Sequence, residues 1–356
     1  REDPRAFISN HFDHKPTLQE LSEICGIQET SIGYIINNTK TNDMVSYVIS
    51  RMEDEVYRFL RSILEPDIEI IQNTFKIITP YELDIYIPEY NFGIECNPTI
   101  THNSSIPGFN FEGDKPKSKK YHQMKTDMCE SKEIFLFHIF GYEWTHKKYI
   151  CMSMIRNVLG CTEKRIYARQ CKIIQVSDKE CKQFLIDNHR QGIVASSIRL
   201  GLVYDDEIVS IMTFGVMRNT IGTGKSDLSD CYELSRFCNK LNTNVVGGAS
   251  KLFKYFLSNF SPKRIRSFSD RAHTKGNLYK LLGFNEINRS ESGYVWVNLK
   301  TDIAYSRINS QKQNIVNFLK DTTIDLSKSE AEIMIEHGYV QVFDSGTITW
   351  EYSKEE

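Results

Sequence analysis

"ELDIYIPEYNFGIECNPTITH", residues 82–102, alternates apolar and polar positions on both sides of a Pro88-Glu89-Tyr90-Asn91 turn. Leu83, Ile85 and Ile87, then Phe92, Ile94 and Cys96, take every second place, the period of a strand with one face on a core. The pattern predicts a β-hairpin. Asp84, Glu95, Asn97 and His102 are threaded through it, and the alternation puts Glu95 and Asn97 on one face, with Asp84 converging on that edge of the sheet. A solvated face accounts for the polar residues of an arbitrary hairpin. Here, an acid flanked by Leu83 and Ile85 needs a partner when buried. Converging carboxylate and carbonyl oxygens are hard ligands suited to Mg²⁺ or Mn²⁺, which complete their shells with water and substrate phosphate. Such a site predicts phosphodiester hydrolysis, with His102 either accepting the proton of the attacking water or binding the leaving oxygen.

The flanking segments frame that hairpin. Val48, Met52, Val56, Phe59 and Leu60 form one helical stripe over 45–65, with Pro66 past its end. After a basic, glycine-containing loop at 103–120, "KYHQMKTDMCES" (120–131) reads as a helix and "IFLFHIF" (134–140) as a strand for the middle of a sheet. His138 on that strand reads as a core histidine. The order helix, strand, strand, strand, helix, strand is a compact α/β unit. Upstream, "TLQELSEICGIQETSIGYIINN" (17–38) predicts a helix-turn-helix: Thr17 caps with Glu20, Gly26 makes the turn, and Ile32, Ile35 and Ile36 face inward on the second helix. Gln28, Glu29, Thr30, Ser31, Tyr34 and Asn38 would then face a DNA major groove.

A chain of 356 residues has room for two or three domains. It has no apolar run of ~18 residues and no signal segment, so a soluble, cytoplasmic protein is expected, without a membrane partner. It opens on Arg1, which reads as part of a longer or processed chain. The net charge of −2 does not advertise a nucleic-acid binder, yet lysine and arginine cluster at 114–125, 146–149, 163–172 and 261–275. Lys119 and Lys120 in the first cluster are candidate DNA contacts. Nine cysteines, with no CxxC pair, exclude zinc-ribbon and zinc-finger spacings and read as reduced thiols.

"ELDIYIPEYNFGIECN", His102 and "KYHQMKTDMCESKEIFLFHIFGYEW" together resemble the nuclease domain of phage homing endonucleases of the E-D-x-H-D type, similar to very-short-patch-repair (Vsr-like) endonucleases of the PD-(D/E)XK superfamily. The resemblance covers roughly 45–160. It implies a helix glutamate at Glu53, or alternatively Glu55, reaching the metal through water. It implies Asp84 as a direct metal ligand, the Cys96 backbone carbonyl as another, Glu95 as the second acid and His102 as the catalytic histidine. The final acidic position falls near His122, with Lys125 and Asp127 one turn on. Double-stranded DNA is the implied substrate, cut by a homodimer or by sequential nicking in a phage-infected bacterial host.

The second half has a different texture. "RLGLVYDDEIVSIMTFGVMR" (199–218) predicts a hairpin turning at Asp205 and Asp206, and "CYELSRFCN" and "IRSFSD" predict strands. "NVVGGASKLFKYF" (244–256) sets glycines at a strand-to-helix turn, where backbone amides can hold phosphate. With "NLYKLLGF" (277–284) it resembles the GNAT-type N-acyltransferase fold over about 170–298. That resemblance implies a coenzyme A turn at Val246, Gly247, Gly248 and Ala249, with Tyr279 as the proton donor to the thiolate. Fold does not fix function, and DNA contact is preferred over catalysis there, so acetyl-CoA is not expected as a cofactor. The organisation expected is an α/β multidomain chain: a helix-turn-helix at 1–44, a mixed-sheet PD-(D/E)XK-like nuclease at 45–162, a GNAT-like domain at 163–300, and an α+β tail at 301–356 that ends in a hairpin at 339–352. The function expected is site-specific, metal-dependent DNA cleavage. The alternatives are a DNA-modifying acyltransferase or a non-cleaving DNA-binding protein.

Overall fold

A computed structural model describes residues 11, 16–29, 51–106, 116–217 and 230–354. The chain divides into two units, Arg1–His146 with Ser292–Asp344, and Lys147–Glu291 with Ser345–Glu356. In the first, α1 (Leu18–Cys25) opens on the expected capping box: Thr17 Oγ1 accepts from Glu20 N at 3.1 Å, and Glu20 Oε2 from Thr17 N at 2.7 Å. It ends at Gly26, whose φ of +65° suits a residue without a Cβ. Gln28 is exposed. The second helix of the predicted pair, with Thr30, Ser31, Tyr34 and Asn38, lies outside the described residues.

Helix α2 (Arg51–Ile63) buries Val56, Phe59 and Leu60, the stripe read from the sequence. Strands β1 (Ile71–Ile78), β2 (Tyr81–Ile87), β3 (Phe92–Asn97) and β4 (Phe135–Phe140) form one sheet in that order. The first three run antiparallel, and β4 runs parallel to β3 through the crossover helix α3 (Tyr121–Glu130). Every residue of β3 and β4 is buried, as a central parallel pair requires. The predicted hairpin is therefore β2 and β3, turning through Pro88–Tyr90 and Asn91 at φ 44°.

The segment expected as a tail is split between the units. Strands β13 (Tyr294–Asn298), β14 (Ile303–Ser306) and β15 (Tyr339–Phe343) make a sheet of order β14-β13-β15. With helices α8 (Lys312–Leu319) and α9 (Glu330–Glu336) they enclose Trp296, Ile315, Ile333 and Met334. This excursion belongs to the first unit: Ser104 N donates to Gln341 O at 2.9 Å, and the Thr99 and Thr145 hydroxyls donate to Asp302 at 2.7 and 2.8 Å. The expected final hairpin does not form. At Asp344, N and Oδ1 bond to Gly293 O and N at 2.9 and 2.7 Å and close the base of the excursion, while β15 pairs with β13. Alternation marks a strand but does not select its partner.

The second unit begins inside α4 (Gly141–Val158), where Lys147 leaves helical geometry at φ −137°. That break, and not the expected position near 162, is where the chain changes unit. Strands β5 (Lys164–Tyr167) and β6 (Lys172–Gln175) lead to α5 (Asp178–Asn188) and to the hairpin β7 (Ile198–Tyr204) and β8 (Glu207–Val216). Asp205 and Asp206 turn that hairpin at φ 49° and 58°, as expected. Then come β9 (Cys231–Asn239), β10 (Thr243–Val246), α6 (Gly248–Phe260), β11 (Arg264–Asp270), α7 (Asn277–Leu281), β12 (Asn285–Arg289) and β16 (Thr347–Ser353). The sheet order is β12-β16-β11-β9-β8-β7-β6, with β10 and β5 paired separately in parallel. Leu202, Phe214, Leu252, Phe256, Ile265 and Trp350 share its core. No helix among the described residues is long and apolar enough to cross a membrane.

Candidate functional site

Strands β2 and β3 pair only as far as Ile85 with Ile94. One step further the register would set Asp84 opposite Glu95, and there side chains take over from the ladder. Cys96 N–H donates to Asp84 Oδ2 at 2.7 Å, and Asp84 N–H to Glu95 Oε1 at 3.4 Å. The two acids thus meet in a fork between the strands, Asp84 half-buried and Glu95 only 1 % exposed.

Helix α3 supplies the counter-charge. Lys125, 2 % exposed, forms an ion pair with Glu95. Burial and the Asp84 carboxylate push the Glu95 carboxyl up, against the pull of Lys125. Burial works against the Lys125 ammonium, but Glu95, Tyr121 and Asp84 hold it above its ordinary value. Burial, Asp84, Glu53 and Glu95 together raise the Cys96 thiol, which puts the Glu53 charge within reach of the fork. Glu55 is engaged elsewhere, accepting from Trp144 Nε1 at 2.9 Å and pairing with Arg51.

His102 and His122 form a second group. Their rings stack at 5.4 Å between centroids, with His102 Nδ1 3.2 Å from His122 Nε2. His122 Nδ1 lies 2.6 Å from the Phe343 carbonyl, which can only accept, so Nδ1 carries the proton. Burial holds the His122 ring neutral down to about 3. Its Nε2 is then an acceptor, His102 Nδ1–H donates to it, and the His102 Nε2 lone pair is left as the basic atom. Burial, then His122, Lys117, Lys125 and His138, lower the His102 pKa well below the usual value. Among the described residues no hydrogen bond joins either histidine to Asp84 or Glu95. Lys125 is the link, acting on His102 by its charge and on Glu95 by contact.

Asn97 sits on the same face as Glu95 and turns to His138 Nδ1 at 3.2 Å, and Thr126 Oγ1 lies 2.9 Å from His138 Nε2. His138 is fully buried and satisfied, the core histidine the strand pattern suggested. Asp127, Lys119 and Lys120 are exposed. The Glu95–Lys125 pairing and the Phe343 carbonyl had no local signal in the sequence. Where the chain leaves β3, a cleft of about 470 Å³ is lined by Arg51, Glu55, Thr99, Trp144 and Asp302 among others.

Among the described residues, no three of His, Cys, Asp and Glu gather as a metal cage. Mg²⁺ rarely takes such a cage, and usually sits on one or two carboxylates with waters and substrate phosphate. The fork offers that donor set in Asp84 and Glu95, and a divalent cation there would relieve the upward push that burial and the Asp84 carboxylate exert on Glu95. The residues fit the group.

In the second unit, Gly247 stands at φ +77° as the N-cap of α6 with no side-chain cap, and Gly248 and Ala249 are buried behind it. The Tyr279 hydroxyl donates to Phe268 O at 3.3 Å, with Ser267 Oγ 3.1 Å away, and its ring stacks on Trp350. Burial pushes that phenol up, with Ser267 pulling the other way. Lys251 Nζ donates to the Ala168 and Cys171 carbonyls at 2.9 and 2.6 Å.

No protein-family profile and no curated protein matches this chain. Solved structures give low-scoring likenesses. A GNAT-family acetyltransferase from Bacillus cereus is 14 % identical, with TM-score 0.27 over 52 % of this chain and 99 % of that one. An acetyltransferase from Bacillus subtilis, solved with CoA, is 9 % identical, with TM-score 0.31 over 52 % and 99 %. The ribosomal-protein-S18-alanine N-acetyltransferase from Escherichia coli is 8 % identical, with TM-score 0.30 over 52 % and 95 %.

Proposed function

We propose that the first unit is a divalent-metal-dependent DNA endonuclease, a reading carried by the meeting of Asp84 and Glu95 in the β2–β3 fork beside the buried Lys125. Asp84, Glu95 and the Cys96 carbonyl would hold Mg²⁺ or Mn²⁺, which when bound lowers the pKa of a water and offsets charge developing on phosphate. Lys125 holds the Glu95 side chain toward the fork. His102 takes the proton of the attacking water at Nε2, its tautomer set through His122 by the Phe343 carbonyl. The observed order α2, β1, β2, β3, α3, β4 is the one expected for this unit. The exposed Lys119 and Lys120 are candidate contacts to the DNA backbone.

The test is cleavage of phage genomic DNA with Mg²⁺, with and without EDTA, beside Asp84→Ala checked for folding by circular dichroism. Loss of cleavage in EDTA and in the variant is expected. Cleavage unaffected by the substitution would overturn the site. A second reading, N-acyl transfer by the second unit, is favoured by one observation: α6 opens at Gly247 with no side chain capping its amides. Titration with acetyl-CoA decides it, since micromolar binding supports transfer and no binding leaves that unit as an extension of the DNA footprint.

A further inference from the structure

Acids hold some of the cations of the second unit. Lys182 meets Asp178, Lys240 meets Glu207, Lys263 faces Asp230, Arg266 meets Glu351 and Arg289 meets Glu286. The turn between β5 and β6 instead gathers two cations on one aromatic ring. Arg165 and Arg169 are exposed, and among the described residues neither has a carboxylate partner. The nearest acid in sequence, Glu163, lies 3.4 Å from Arg156 instead. Both guanidinium groups lie against one ring: Tyr167, 41 % exposed, has Arg165 at 5.7 Å and Arg169 at 5.0 Å from its centroid. Two like charges gathered on one aromatic side chain repel each other, and an exposed ring offsets little of that repulsion.

The arrangement is fixed by the backbone. Arg165 and Tyr167 are two residues apart on β5 and share its outer face, while Ile166 points inward at 2 % exposure. Gln170 then accepts from Tyr167 N at 3.3 Å and holds the turn that returns Arg169 to the same ring. Two preset, planar donors that no acid satisfies suit phosphate oxygens, which they can bind bidentately. The exposed ring between them can rest on sugar or base.

We infer that the Arg165–Tyr167–Arg169 turn contacts the sugar-phosphate backbone of duplex DNA. The inference rests on the nuclease reading, extends it to a face of the other unit, and makes the second unit part of the DNA footprint. The test is fluorescence anisotropy of the full chain with a labelled duplex in EDTA, so that no cleavage occurs, over ~0.05–0.3 M monovalent salt. Removing one phosphate interaction should flatten the log–log salt slope by ~0.9, so Arg165→Gln/Arg169→Gln should flatten it by ~1.8 and weaken binding about 10- to 60-fold at ~0.1 M salt. Lys179→Gln/Lys182→Gln on α5 removes the same charge and should leave both values unchanged. A double variant at 165 and 169 that keeps the wild-type slope and affinity overturns the inference, as does an equal weakening in the α5 control. Cleavage by the wild type and by Asp84→Ala is read separately in Mg²⁺, so failure of the nuclease reading and failure of this surface give different results.

Discussion

Replacing Lys125 with methionine isolates the electrostatics of the fork. The Lys125 and Glu95 side chains are 2 % and 1 % exposed, so their charges are set by each other and by Asp84 and not by solvent. At pH 7 the variant loses a charge-assisted hydrogen bond, about 1.5–3 kcal/mol. The larger effect depends on pH. With Lys125 present, burial and Asp84 raise the Glu95 pKa to about 8; without it, the strongest force pulling that value down is gone and the group titrates higher still. The sign follows: above 8 the folded variant holds a proton that both the folded wild type and the unfolded chain have released. The gap in stability between the two proteins therefore widens as pH rises through 8, by about 1.4 kcal/mol per pH unit. It stops growing when the total approaches the ~3–5 kcal/mol typical of a broken buried pair. Urea unfolding followed by circular dichroism at pH 7 and pH 9.5 measures it, with Lys125→Met/Glu95→Gln as the control that removes the titrating group. A gap that is constant between the two pH values, or one that widens equally in the double variant, would refute the reasoning.

Two further outcomes follow from the same unit. Burial holds His122 neutral to about 3 while the unfolded ring titrates near its ordinary 6.5, so its contribution is complete above 6.5 and is lost as pH falls toward 3. The loss is ~1.4 kcal/mol at pH 5.5, and His122→Phe should show that much less acid destabilisation between pH 7.5 and 5.5; equal acid sensitivity would argue against a buried neutral ring. Asp302→Ala removes the acceptor of the Thr99 and Thr145 hydroxyls, which should cost ~1–3 kcal/mol and lower cleavage at unchanged DNA affinity, because the turn from Pro98 carries His102. Normal cleavage by a destabilised variant would separate that turn from the chemistry.

The parts of this unit legible in the sequence are those built from near neighbours. The 82–102 hairpin announces itself through alternation and the Pro88–Asn91 turn, and the convergence of Asp84 on Glu95 follows from its register alone. The Glu95–Lys125 pair does not, since it depends on how α3 lies over β3, and the resemblance that placed Lys125 near the last ligand position gave no partner for it. The tautomer of His122 is set by a carbonyl 221 residues away. The same non-local pairing defeated the final hairpin: "YVQVF" and "TITWEYS" alternate as strands should, but β15 pairs along all five of its residues with β13 and β16 along all seven of its residues with β11.

The fork itself shows why the acids stand where they do. β3 pairs with β4 along all six of its residues, whereas β2 follows β3 only to Ile94, so the last residues of β3 have one open edge inside a buried sheet. The Cys96 N–H on that edge must be satisfied, and Asp84 Oδ2 does so at 2.7 Å. Asp84 therefore carries a structural duty and a proposed chemical one, and Asp84→Asn separates them. Its amide oxygen keeps an acceptor for Cys96 N–H, so stability should stay within ~1 kcal/mol of wild type, whereas Asp84→Ala should lose ~1–3 kcal/mol by orphaning the donor. A metal-binding carboxylate admits no such substitution. Cleavage in Mg²⁺ should fall in both variants alike, and a stable Asp84→Asn protein that still cuts would show that the residue completes the sheet and nothing more.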